Sequence, residues 1–244
     1  MRHLELIGVE GLPEVRPGDD LSELIAAHAT LQSGDVLVVA QKVVSKAEGR
    51  LVAIDSVTAS EEAQRIAPGL VAAPDPRMVQ VVLDESVRVL RSERVLITET
   101  RHGYVSANAG VDHSNVGGGV LSLLPVDPDA SAARIRRALM EKTGATVGVI
   151  VSDTFGRPWR LGIVNVALGL AGLPALIDLR GTPDDAGQPL HATVLALADE
   201  IAASAGLVMG KTERTPVVIV RGLTLSGEGS GRELIRPSDE DLFR

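Results

Sequence analysis

Three short β-branched runs constrain this chain more than any other feature: VLVVA at 36–40, VGVIV at 147–151 and VVIVR at 217–221. Each is apolar on every residue or nearly so and reads as a strand, the run at 147–151 as a buried one. The run at 147–151 is the most informative, because polar groups follow it at once: Ser152, Asp153, Thr154, then Gly156, Arg157 and Arg160. A carboxylate at the mouth of a buried strand is costly unless a cation or a metal pairs with it. Thr154 could add an oxygen to a hard-metal shell, and the arginines suit phosphate or carboxylate. A capped turn closed by a salt bridge would use the same residues.

A second polar cluster surrounds Asp112, in AGVDHSNV at 109–116, and runs into Gly117-Gly118-Gly119. The triple glycine lacks the Gly-Lys-Ser/Thr of a phosphate loop and reads as a flexible turn. A third cluster, Gln41, Lys42, Ser45, Lys46, Glu48 and Arg50, follows the run at 36–40. Its cations could cradle an anion or form a solvated face. Gly210-Lys211-Thr212 is no Walker motif, because Ala205 stands where the first glycine is needed and a strand follows rather than a helix.

Helical patterns separate these runs. The chain reads as a strand at 3–9, a helix capped by Asp19 or Asp20, and a helix at 56–67 with a Thr58/Glu61 capping box. A helix from Pro76, a hairpin turning at His102-Gly103, a helix at 131–143 stopped by Gly144, and a helix at 190–205 follow. The fold class is α+β, with mixed sheets and flanking helices, in one domain over 1–244 that could divide into two closely associated subdomains.

Composition excludes several functions. Aromatic residues are 2% against 45% hydrophobic, so the core is aliphatic. A formal charge of −8 argues against nucleic acid and anionic membranes as partners. With no cysteine, disulfides, zinc–thiolate sites and thiol nucleophiles are ruled out, and a cytoplasmic location is expected. The most apolar window, 161–179, is broken by Asn165 and Pro174; it is short for a membrane span and reads as a buried helix and turn.

Taken together, GLPE at 11–14, KVVSKAEGR at 42–50, AGVDHSN at 109–115, SDTFGR at 152–157 and the region 198–222 resemble the coenzyme F420-0:γ-glutamyl ligases, including the ligase half of actinobacterial two-domain versions. The resemblance implies a GTP- and metal-dependent ligase that joins L-glutamate to coenzyme F420-0 through an amide, after phosphorylation of the acceptor carboxylate. It implies two divalent ions, Mg²⁺ or Mn²⁺, with K⁺, and an intertwined homodimer. Asp112 and Asp153 match metal-bridging carboxylates, with Thr154 adding oxygen. Leu12, Pro13, Glu14, Val15, Gln41, Lys46 and Asn115 match positions that contact GTP, as do Gly210, Lys211, Thr212, Glu213, Arg214, Thr215, Pro216 and Val217. Arg157 is assigned to the acidic substrate or the acyl phosphate. Two departures stand out: Lys211 occupies a position where archaeal relatives carry a metal-binding glutamine, and Ala40-Gln41 replaces a common serine or threonine-serine. A metal-dependent nucleotide phosphohydrolase, and a non-catalytic module needing a separate flavin-binding partner, are the competing readings.

Overall fold

The three β-branched runs lie side by side in one sheet. The computed structural model describes residues 3–114 and 116–241. In chain order the elements are β1 (Glu5–Gly8), α1 (Leu21–His28), β2 (Val36–Ala40), α2 (Gln41–Ala47), β3 (Leu51–Ala53), α3 (Glu61–Ile66), α4 (Pro76–Asp84), β4 (Ser86–Arg91), β5 (Ile97–Thr100) and β6 (Val105–Ala107). There follow β7 (Val120–Ser122), α5 (Pro128–Thr143), β8 (Gly148–Arg157), β9 (Arg160–Ala171), β10 (Ile177–Asp178), β11 (Val194–Leu195), α6 (Leu197–Met209) and β12 (Val217–Arg221). The main sheet has the order β1-β12-β2-β8-β9. Only β2 and β8 are parallel; the other neighbours are antiparallel, so the sheet is mixed.

Strand alternation divides each run between two cores. Leu37, Val39, Val149, Val151, Val217 and Ile219 pack with α1 and α5 residues such as Ile25, Ile135 and Leu139. Val36, Val38, Ile150, Val218 and Val220 pack with α6 through Leu197, Ile201 and Ala205. Burial on both faces is why these strands read as unbroken apolar runs. A further core, with Ile66, Val79, Leu96, Val111 and Leu121, sits under α3 and α4. A three-stranded antiparallel sheet, β4-β5-β6, completes that half, and its β5–β6 hairpin turns at His102-Gly103 as expected.

The helix caps follow local chemistry. Asp20 accepts from the Ser22 and Glu23 amides, Asp75 caps α4 ahead of Pro76, and Gly144 ends α5 with φ 73°. Three expectations are corrected. The window 161–179 is not a helix: it supplies β9, paired with an extended β8 from Val149↔Ala171 to Arg157↔Arg160. A continuous apolar run carries no period that separates a buried strand from a buried helix, and the β-branched residues Ile163, Val164 and Val166 favour the strand. The helix at 56–67 is shorter, starting at Glu61, because Ser60 and not Thr58 accepts the Ala63 amide. The helix placed at 190–205 runs instead from Leu197 to Met209.

The open edge of β9 is covered by side chains. Asp199 Oδ1 accepts the Ala167 amide and Asp129 Oδ1 accepts the Leu170 amide, both at 2.8 Å, while Tyr104 donates to the Leu168 carbonyl. These contacts satisfy backbone groups that an edge strand would otherwise present to another chain. No helix among the described residues is long and apolar enough to cross a membrane.

Candidate active site

The parallel pair β2 and β8 ends together: Ala40, the last residue of β2, is level with Ser152. Beyond this level β2 gives way to α2, while β8 continues as one arm of the β8–β9 hairpin. The Ala40 amide donates to the Pro216 carbonyl at 2.8 Å, which brings the loop at 210–216 to the same end of the sheet. The cleft so formed, at the carboxyl ends of two parallel strands, has a volume of about 940 Å³. Such ends are the usual ligand position in α/β sheets.

Asp153 continues the Val149–Val151 face of β8, and Ser152 and Thr154 the opposite face. Asp112 arrives from the other core. Asn108, Ala109 and Gly110 take successive positive φ angles of 55°, 50° and 71°, turning the chain sharply before it. Only glycine serves at 110, where a Cβ would stand 2.6 Å from Leu124 Cδ2. The Asp112 backbone is then pinned by reciprocal hydrogen bonds to Ser122, at 3.1 and 2.8 Å.

Among the described residues Asp112 is in direct contact with a cation and Asp153 is not. Lys42 Nζ lies 2.6 Å from Asp112 Oδ2 and also donates to Ser114 O and Oγ, at 2.9 and 2.6 Å. The Ser114 amide donates to Asp112 Oδ1 and its hydroxyl to Oδ2, each at 2.8 Å. Burial pushes the Asp112 carboxyl up, but the hydrogen bonds from Lys42 and Ser114 together outweigh it and hold the group below the usual carboxylate range. Asp153 goes the other way. Burial raises it to about 6, against the Thr154 amide and the charges of Lys211 and Lys42, and the negative charge of Asp112 adds to the rise. One carboxylate is paired; its neighbour is short of positive charge.

Four residues apart on α2, Lys42 and Lys46 share a helix face. Lys46, 8% exposed, forms an ion pair with Glu14. Arg214 Nη2 approaches the same carboxylate at 3.8 Å. Gln41 is buried and accepts from Ser45 Oγ at 2.9 Å. Thr154 Oγ1 accepts from the Lys211 ammonium and faces Asn165 Oδ1 at 3.1 Å. Glu213 turns its carboxylate back on its own loop, accepting the Lys211 and Thr212 amides at 2.9 Å.

The cleft therefore gathers Leu12, Pro13, Glu14, Val15, Gln41, Lys46, Asp112, Asp153 and Thr154 with Gly210, Lys211, Thr212, Arg214, Thr215 and Pro216. Glu213 and Val217 are neighbours in the chain and do not line it; Asn115 lies outside the described residues. Arg157 is not brought in: it sits exposed at the hairpin turn, donating to the Leu161 carbonyl at 2.5 Å. Lys42, Ser114, Ser152 and Asn165 line the cleft without having been singled out as site residues. The contact of Lys42 with Asp112 was foreshadowed only by its place in the cationic stretch after β2, and Asn165 was hidden inside the supposed helix.

The donor set is hard: two carboxylates and the Thr154 hydroxyl, with the buried Ser152 Oγ beside them lacking any hydrogen-bond partner. Such oxygens fit a divalent cation of the Mg²⁺ type. Among the described residues no three acidic, His or Cys side chains cluster, so water or substrate oxygens would complete the shell.

Carboxylates and lysines around a cleft whose described lining holds no cysteine and no serine–histidine pair suit an enzyme that acts by positioning and charge neutralisation, as phosphoryl-transfer chemistry requires. Residues 11–222 match the family F420-0:Gamma-glutamyl ligase, and the chain belongs to that family. It is 46% identical over 254 residues to the coenzyme F420:L-glutamate ligase of Methanopyrus kandleri, covering 100% of both chains. The enzyme of the same name from Archaeoglobus fulgidus is 46% identical over 242 residues, covering 99% of this chain and 96% of the relative. That of Methanocaldococcus jannaschii is 45% identical over 248 residues, covering 100% and 98%. These relatives are archaeal and lend no support to the likeness to actinobacterial two-domain versions.

Proposed function

We propose that the chain ligates L-glutamate to coenzyme F420-0 in coenzyme F420 biosynthesis, using GTP, and that the cleft at the ends of β2 and β8 is where it does so. The observation that carries the placement is the convergence of Asp112 and Asp153, from two different cores, on one cleft that also holds Lys42, Lys46 and Lys211.

The reaction forms one C–N bond. The acceptor carboxylate attacks the γ-phosphorus of GTP and GDP leaves; the amino group of L-glutamate then attacks the acyl carbon, phosphate leaves, and the amine gives up its proton. Asp112 and Asp153 would hold a divalent ion, Mg²⁺ or Mn²⁺, which would supply charge neutralisation for the phosphoryl group; Thr154 stands at the same cleft. Lys46 and Arg214, now turned to Glu14, offer charge-assisted donors to the nucleotide phosphates. The segment Leu12–Val15 and the loop at 210–216 both line the cleft and suit the rest of the nucleotide. Asp153, raised by burial, would gain most from a bound cation. A monovalent ion such as K⁺ belongs to the same reading.

The chain is further proposed to work as a homodimer. Trp159, Leu161 and Ile163 on the β8–β9 hairpin are 86%, 97% and 62% exposed, and Leu207 on α6 is 83% exposed. An apolar ridge of this kind is ordinarily covered by another subunit.

Mass spectrometry of the deazaflavin after incubation with GTP and L-glutamate tests the function. A product heavier by one glutamyl residue, dependent on both, is expected; nucleotide turnover without glutamate or acceptor would point to a phosphohydrolase.

A further inference from the structure

The Thr154 hydroxyl is already engaged. It accepts from the Lys211 ammonium and lies 3.1 Å from Asn165 Oδ1, to which it donates. A hydroxyl has one proton and two lone pairs, so one lone pair is left for a metal. A divalent ion taking it would share a single oxygen atom with an ammonium group. Like charges so placed repel strongly in a partly desolvated cleft.

The two lysines at the aspartates differ in how their donors are used. Lys42 has three, and Asp112 Oδ2, Ser114 O and Ser114 Oγ take all of them. Lys211 forms its side-chain hydrogen bond to Thr154 and no ion pair with a carboxylate among the described residues. Its backbone is held separately: the Glu213 carboxylate accepts the Lys211 and Thr212 amides, each at 2.9 Å. The loop therefore fixes where the side chain starts, and Thr154 fixes where its ammonium ends. The positive charge is felt at Asp153, across β8 from Thr154.

We propose that the Lys211 ammonium replaces a second metal ion, so that the chain holds one divalent ion, at Asp112 and Asp153, and Lys211 supplies the cation on the Thr154 side. Anchored through one donor, it turns its remaining two to the oxygens of the phosphoryl group in transfer. This rests on the metal-dependent reading given above and sharpens it. A covalently tethered cation needs no capture from solution and cannot be removed by a chelator, so only one ion per protomer should be exchangeable.

The test is an ion count. Mn²⁺ is titrated into the full chain saturated with a non-hydrolysable GTP analogue, and free Mn²⁺ is read by electron paramagnetic resonance. The same titration is run on K211Q, K211R and D153N. One Mn²⁺ per protomer in the wild type and in K211R, and two in K211Q, is the expected result. Two ions of comparable affinity in the wild type would overturn the inference, and so would a K211Q count that stays at one. No protein-dependent Mn²⁺ in the wild type, with a D153N titration identical to it, would instead bring down the metal reading itself, and the inference with it. Lys211 is exposed, so K211Q is expected to melt at the wild-type temperature; should it fail to fold, the wild-type and K211R counts still decide between one ion and two.

Discussion

Lys42 Nζ stands 2.6 Å from Asp112 Oδ2, joining a helix that leaves the main sheet to a turn that leaves the other core. The pair links the two halves of the cleft before any substrate enters. Asp112 is held below its ordinary 3.8, so it contributes stability that is present above that value and is lost as pH falls through its lower folded value. Lys42→Met should cost about 1 kcal/mol at pH 7, a figure kept small because the Asp112 side chain is 40% exposed. It should also flatten the acid limb of the stability curve. Urea titrations of the metal-free protein from pH 3 to 7 measure both, and an unchanged acid limb would count against the pairing.

Lys46→Ala should weaken GTP binding. A charge-assisted hydrogen bond to phosphate is worth roughly 1.5–3 kcal/mol, or about ten- to a hundredfold in affinity. Calorimetry that returns the wild-type affinity would place the phosphates elsewhere in the cleft.

At the far end of the sheet, Arg221 makes two hydrogen bonds to Asp35, at 2.8 and 2.7 Å, and Asp35 is 1% exposed. Arg221→Met strands a buried carboxylate, leaving it, among the described residues, the Gln32 amide at 2.8 Å. The expected loss is about 3–5 kcal/mol in a urea titration, with activity per folded molecule unchanged. The double variant Asp35→Leu/Arg221→Met should recover much of it.

If the apolar ridge of the β8–β9 hairpin is a subunit interface, light scattering at micromolar concentration will give twice the 25.5 kDa chain mass. Leu161→Glu together with Ile163→Glu should yield the monomer. A wild-type monomer would leave the ridge to some other partner.

Legibility in the sequence followed burial. The strands at 36–40 and 217–221 were readable to the residue, because both faces are covered and polar or turn-forming residues bound each run. β9 was not, because its apolar length matches a helix equally well and only its pairing with β8 decides the matter. Asp112 and Asp153 stood out as acids that no strand or helix period explains, and the structure places both in the cleft. Arg157 was grouped with Asp153 because it is close in sequence; β8 stays extended for four residues past Asp153 and carries Arg157 to the hairpin turn. Lys42 read only as part of a run of cations, and Lys46 as a GTP contact; α2 winds both onto one face, where each meets its own acid.

If Asp112 and Asp153 act together on the transferred phosphoryl group, ligase turnover should collapse in both Asp112→Asn and Asp153→Asn. Each substitution keeps shape and removes one charge; a loss of ~4 kcal/mol in transition-state stabilisation means about a thousandfold in rate. Folding should survive, with a sign peculiar to Asp153. Its folded value, about 6, is raised, so the native state is fully favoured only below the unfolded 3.8 and loses stability as pH rises through 6. Asp153→Asn should therefore make the metal-free protein more stable at pH 8, by at most ~3 kcal/mol. Near-complete loss of glutamyl product by mass spectrometry is expected in both variants, with melting temperatures at or above wild type for Asp153→Asn. Near-normal turnover in a folded Asp153→Asn variant would mean that this carboxylate, although mid-strand in β8 and not a turn cap, has no part in the reaction.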